Sequence, residues 1–328
     1  MTSWPITAAV AQPSRVSELL ELTGQQLARL GLGTAPEKST LRKLFARLDS
    51  DALDRVLVAW LWTRTSSVDG RRVIAIDGKA VRGAQDSQGR MPHLVAALDH
   101  DSGTVLGQLA VAEKSNEIPC VRELLGCFDL TDAVITVDAM HTQTDRHRDS
   151  GHECGRGLRL HGQGQHRDSA AEAQGVAVEG RARPLGDRDR PRQTREAHYQ
   201  SRHHPAWVGF PGASQAAQLR RTATTKGKKS VEVICMITFA DPASAPPAAL
   251  AAWIQNHWAI ENRLHCVRDV AFDEDRSQVR TGQAPRVMAT VGNTAISLLR
   301  LSDWENIAKA LRHHARDPDR ALTCLLTC

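Results

Sequence analysis

The chain has 328 residues, 41% of them apolar, and a formal net charge of +5 with a pI near 8.9. That length holds one large domain with a smaller satellite; no run reaches the roughly 18 apolar residues of a membrane span, and the N-terminus lacks the basic-then-apolar layout of a signal peptide, so a cytoplasmic protein is expected. The mild positive charge favours a polyanionic partner, and the seven cysteines are scattered with no CxxC pair, which argues against a zinc knuckle and for reduced thiols.

Helical spacing opens the chain. Leu41, Leu44 and Leu48 mark a short helix, and Leu53, Val56, Leu57, Trp60 and Leu61 a longer one, so residues 1–66 are expected to be a helical region. At Arg71 the period changes. Val73-Ile74-Ala75-Ile76, Leu94 to Leu98 and Val105 to Val111 read as three strands of a meander, with Gly83, Gly89, Pro92 and Gly103 at the turns. After Pro119, Val121, Leu124, Leu125 and Phe128 mark one helix face, and Val134 to Val137 reads as a buried strand. The order β-β-β-α-β predicts an α/β sheet over residues 67–145 and is the opening of the RNase H topology, which other α/β folds share.

Between Arg146 and Pro205 the composition changes. Arginine, histidine, glycine and glutamine dominate, and lysine, isoleucine, phenylalanine, methionine and tryptophan are absent. Too little apolar surface remains for a core, so residues 146–205 are expected to be disordered. A basic linker would read this way; so would a compensated frameshift in a GC-rich gene, which fits better because an α/β core does not place a structureless insertion of this length directly after an active-site strand. Ordinary sequence resumes at Trp207-Val208-Gly209-Phe210. A strand at Val231 to Ile237 follows, then a helix carrying Leu250, Trp253, Ile254, Trp258, Ile260 and Leu264, and another from Pro285 to Leu301. Residues 206–328 are expected to hold an insertion remnant and the last helices of the core.

Two aspartates end apolar strands: Asp77 in Ile76-Asp77-Gly78-Lys79 and Asp138 in Val137-Asp138-Ala139-Met140-His141. Either alone suits a turn or a cap. If the first and fourth strands are neighbours, the pair brings two carboxylates together, an unfavourable arrangement without a cation. A third acid, Glu261, lies on the predicted helix, where four-residue spacing aligns it with His257 and His265. Asp269, Asp273, Glu274 and Asp275 compete with it, and spacing does not choose among them.

The motifs Ile76-Asp77-Gly78-Lys79, Glu113-Lys114-Ser115-Asn116-Glu117-Ile118-Pro119, Val137-Asp138-Ala139-Met140-His141-Thr142-Gln143 and His257-Trp258 through Glu261-Asn262, Leu264-His265, Asp269-Val270 and Glu274-Asp275 stand in order and at fitting separations. Together they resemble the DDE transposases of the ISAs and H-repeat insertion-sequence branch, over Pro36 to Asp145 and Trp207 to the C-terminus. The resemblance implies an RNase H-like mixed sheet flanked by helices, with Asp77, Asp138 and Glu261 as a triad binding Mg²⁺ or Mn²⁺. In two-metal chemistry such carboxylates hold ions about 4 Å apart for DNA cleavage and strand transfer. It also implies DNA as partner, both the element's ends and the target, with a homodimer on DNA. Lys79, Arg82, Lys114, Asn116 and Glu117 are expected at the rim of the site. His257, His265 and Arg268, near Glu261 on the helix, are expected to contact phosphate, and Arg220, Arg221, Lys226, Lys228 and Lys229 suit the DNA backbone.

The chain departs from the family pattern in Met1 to Thr34, at Cys266 where tryptophan is usual, at Gly292 where arginine is usual, and after Asp145, where the fifth core strand is unrecognisable. These departures lead to the expectation of an inactive copy, with a non-catalytic DNA-binding remnant as the alternative. A zinc site of His152, Cys154, His161 and His166 would need spacings that zinc templates do not show.

Overall fold

Buried β-branched side chains drive the first strand, β1 (Arg72–Ala80), whose Ile74, Ala75 and Ile76 are fully enclosed. The computed structural model describes residues 22–65, 71–111, 117–138, 145–146, 155–156, 174–179, 195–203, 214–225 and 228–327, by backbone alone at 145–146, 155–156, 174–179, 195–203, 218–225 and 228–235. Lys114, Asn116, Met140 to Gln143, His152, Cys154, His161, His166, Trp207 to Phe210 and Lys226 lie outside the described residues. Two units interleave along the sequence. One comprises Met1–Ser66, Gly78–Phe128 and Ile260–Cys328; the other comprises Ser67–Asp77 and Asp129–Ala259.

The second unit is built on a mixed sheet. Its strand order is β1-β4-β7-β10-β9-β8, with β4 at Ala133–Asp138, β7 at Gln174–Glu179, β8 at Arg195–His203, β9 at Gln215–Thr225 and β10 at Lys228–Thr238. A separate two-residue pair joins β5 (Asp145–Arg146) to β6 (Gly155–Arg156). β1 and β4 are parallel neighbours from Arg72↔Ala133 to Ile76↔Val137, and β4 is parallel to β7 from Val134↔Gln174 to Asp138↔Val178. β10 pairs antiparallel with β7 and β9, and β8 closes the order on β9. A helix, α5 (Pro247–His257), starts at a proline suited to the first helical turn. It buries Leu250, Trp253 and Ile254 against Val134, Ala217 and Met236.

β7 corrects one expectation, because a strand from inside Arg146 to Pro205 occupies the place beside β4 where the fifth core strand was expected to be missing. A ladder is made by backbone amides and carbonyls that any residue but proline supplies. The average composition of the segment therefore hid the run Gln174-Gly175-Val176-Ala177-Val178-Glu179.

In the first unit, α1 (Gly24–Arg29) starts with a capping box in which Thr23 and Gln26 exchange bonds, and α2 (Lys38–Arg47) and α3 (Ser50–Trp62) follow. The antiparallel pair β2 (His93–Asp99) and β3 (Val105–Ala110) and the helix α4 (Glu117–Leu125) come next, with Leu94, Val95, Leu98, Leu106, Val121 and Leu124 among its core residues. Glycine lets α3 approach β3, since a Cβ on Gly107 would stand 2.5 Å from Val58. The long helix α7 (Ala284–Leu301) lies on β3, where the Val105 amide donates to the Ser297 hydroxyl over 3.0 Å. Beside it Asn293 donates to Gln108, Gln108 to Thr290 and Thr290 to Asp54, each at 2.7 Å. Two helices the sequence did not announce, α8 (Ile307–His314) and α9 (Pro318–Thr327), end the described chain. Among the described residues no helix is long and apolar enough to cross a membrane. The molecule is an α/β protein with a mixed sheet and flanking helices, as expected of an RNase H-like fold.

Candidate active site

Parallel pairing of β1 and β4 fixes the first part of the site, in the second unit. The register runs to Ile76↔Val137, so Asp77 and Asp138 are the next residues on each strand. Neighbouring strands lie about 4.8 Å apart and side chains alternate between faces, so the two residues stand side by side on one face of the sheet, Asp138 ending β4 and Asp77 three residues before the end of β1, each half-buried. Repulsion in such a pair is relieved by a cation or by protonation. Thr136, two residues before Asp138, accepts or donates a 2.9 Å bond to Nδ1 of His257, and both side chains are buried. His257 is thus engaged with the sheet rather than directed to an expected phosphate.

Glu261 belongs to the first unit and opens a π turn, Glu261–His265, followed directly by α6 (Cys266–Val270). This turn replaces the regular helical spacing expected there, and π turns recur at functional sites. Nδ1 of His265 donates to the Glu261 carboxylate at 3.0 Å, and the His265 ring is buried. That bond holds the Glu261 carboxyl below its ordinary value, helped by the charges of His265, Lys79 and Arg82 and opposed by burial. Within the turn, Arg263 donates to the His100 carbonyl at 2.7 Å and lies over Gly103. Gly103 has φ +69°, and a Cβ there would meet the Arg263 guanidinium at 3.1 Å, so glycine serves both the turn and the anchor.

The acids that compete with Glu261 in the sequence each face a cation. Lys79 donates to Asp269 at 2.8 Å with only 11% of its side chain exposed, and Arg268 grips Glu274 with bonds of 2.6 to 3.1 Å. Asp275 lies 3.9 Å from Arg82, and Asp273 lies 3.7 Å from Arg276. Arg268 is 1% exposed, so its fork is filled by Glu274 where the sequence reading directed it to phosphate. Arg82, by contrast, has an exposed side chain. One pair had no sequence signal because its members are far apart in the chain: His93 Nε2 lies 2.6 Å from Glu117. Both press on Gly78, where a Cβ would stand 2.6 Å from His93 and 2.8 Å from Glu117. Asp77, Glu261 and His265 are, among the described residues, donors of the types that bind a divalent ion.

A family model described as "Transposase DDE domain" matches residues 69–298. The "Putative transposase YncI" of Escherichia coli O157:H7 is 30% identical over 280 residues, covering 81% of this chain and 71% of that protein. The "H repeat-associated putative transposase YhhI" of Escherichia coli strain K12 is 27% identical over 280 residues, covering 80% and 73%.

Proposed function

This chain belongs to the DDE transposase family, and we propose that its chemistry is metal-dependent phosphoryl transfer on DNA, cutting the ends of an insertion sequence and joining them to a target. The observation that carries the reading is the pairing of β1 with β4, which sets Asp77 beside Asp138. The family implies use of a divalent ion, and hard oxygen donors suit Mg²⁺ or Mn²⁺. Asp77, Asp138 and Glu261 would hold it. When bound, it would act as a Lewis acid on the scissile phosphate and favour an oxygen nucleophile.

The remaining work falls to the chain's own side chains. The two aspartates would supply anionic oxygens from neighbouring strands of the sheet, where packing limits their displacement. His265 donates to the Glu261 carboxylate and so would fix the orientation of the third donor. Arg263 anchors the π turn to the β2–β3 connection. Arg82 is the exposed cation best suited to a DNA phosphate.

A second reading, a DNA-binding remnant without catalysis, is favoured by the composition of Arg146 to Pro205. The two separate on Mn²⁺ binding and on cleavage of the element's ends. Binding lost on Asp77→Asn, with cleavage, supports the first; salt-dependent DNA binding without ion binding or cleavage supports the second.

A further inference from the structure

Helix α2, Lys38–Arg47, packs through one partly buried face against α7 and presents a basic face to solvent. Its ten residues include four cations and no acid, and none of them is buried. Lys38 stands in the first turn, the end of the helix dipole that favours negative charge, and Lys38 and Arg42 repel one another at four-residue spacing. Among the described residues no carboxylate pairs with Lys38 or Arg42. Lys38 and Arg42 add nothing to the stability of the helix, whereas a polyanionic partner would gain from them.

The helix forms one wall of a cavity of about 400 Å³ within the first unit. Lys38 and Arg42 line it from the helix, and Arg276 and Arg280 line it from residues 273–281; Asp273, the one carboxylate of the lining, lies 3.7 Å from Arg276. Phe45, on the same helix, and Phe272, which is 5% exposed, are the aromatic residues of the lining. The segment opposite the helix in sequence, 273–281, is fastened in place: Arg280 donates to the Gly83 carbonyl at 3.2 Å, and the Gln283 amide donates to the Ala46 carbonyl of α2 at 3.2 Å. Asp273 and Gly282 bracket this segment with φ of +56° and +55°. A cavity held open by such contacts needs little ordering on binding.

We propose that this groove holds unpaired nucleotides of a DNA strand, an inference that rests on the DNA reading above. Double-helical DNA hides its base faces, so an aromatic side chain in the lining would gain little from it. An unpaired strand offers phosphates to the cations of the lining and bases to Phe45, the combination on which single-strand sites are built. The site differs from the carboxylate cluster in residues and in chemistry, and it needs no metal.

The test uses the full chain with a fluorescent oligothymidylate and a mixed-sequence duplex of equal length, in metal-free buffer. Arg42→Glu with Arg276→Glu is expected to weaken oligothymidylate binding about tenfold or more. Phe45→Ala is expected to weaken it about tenfold, as loss of one stacking contact does, with duplex binding left within about twofold. Arg42 and Arg276 are exposed, so the charge variant keeps its fold even if Phe45→Ala does not. Oligothymidylate binding that neither change weakens would overturn the inference while duplex binding kept the DNA reading intact. Displacement of oligothymidylate by an equal concentration of an acidic, leucine-containing peptide would assign the groove to a protein partner and also overturn it. Absence of both oligothymidylate and duplex binding by the unsubstituted chain would overturn the DNA reading and the inference with it.

Discussion

Nδ1 of His265 lies 3.0 Å from a carboxylate oxygen of Glu261, within a single π turn. The folded state therefore holds the Glu261 carboxyl below its ordinary 4.5. A depressed carboxyl stabilises the fold fully above that value and loses its contribution as pH falls through the folded one. Glu261→Gln is expected to lower the urea midpoint at pH 7, with the difference from the parent shrinking below about pH 4.5. A difference that stays constant down to pH 3 would show that the pair does not shift Glu261.

Asp54 titrates in the opposite sense. Burial pushes its carboxyl up from 3.8 to about 6, against the hydrogen bond from Thr290 and the charge of Arg286. A raised carboxyl favours the fold below its unfolded value, and that contribution is lost as pH rises through the folded one. Asp54→Asn should therefore be more stable than the parent above pH 6, by up to about 3 kcal/mol from the size of the shift, and equal to it near pH 3. Thermal unfolding at both pH values checks this, and a variant less stable at pH 7.5 would contradict it.

Much of this was legible in the sequence, for identifiable reasons. Val73 to Ile76 and Val134 to Val137 are short β-branched runs with turn residues on both sides, so the strands, their order and the aspartate after each run could be read directly, although β1 continues three residues past Asp77 to Ala80. The choice of Glu261 over Asp269, Glu274 and Asp275 could not, because it depends on which cation each acid meets after folding. Arg268 illustrates the same limit: nothing local distinguishes an arginine that waits for phosphate from one that closes on a glutamate six residues away. β7 was missed because composition over a long segment says little about one short ladder.

Arg268 and Glu274 are both largely buried, and their bonds reach 2.6 Å. Removing one member of such a pair leaves the other charge without compensation, which costs about 3–5 kcal/mol. Arg268→Ala is expected to be destabilised by that amount in urea, and Arg268→Lys by less, since lysine keeps the charge but not the fork. A loss under about 1 kcal/mol for Arg268→Ala would mean that solvent reaches the pair.

Residues 146–205 lend themselves to a genetic test. The gene translated in its other frames across this segment should yield an apolar strand with isoleucine and lysine restored. A chain carrying that restored segment is expected to cleave its element's ends more strongly than this one, because catalysis falls sharply with displacements of about an ångström. Equal, robust cleavage by both chains would remove the frameshift reading.

Asp77, Asp138 and Glu261 are proposed to hold a divalent ion together. Mn²⁺ titration of the full chain, followed by electron paramagnetic resonance, tests it without requiring turnover. The account predicts saturable Mn²⁺ binding, displaced by Mg²⁺, that Asp77→Asn, Asp138→Asn and Glu261→Gln each weaken by about tenfold or more, while the fold survives by circular dichroism. Mn²⁺ binding that is absent from the parent chain, or that all three substitutions leave unchanged, would contradict it.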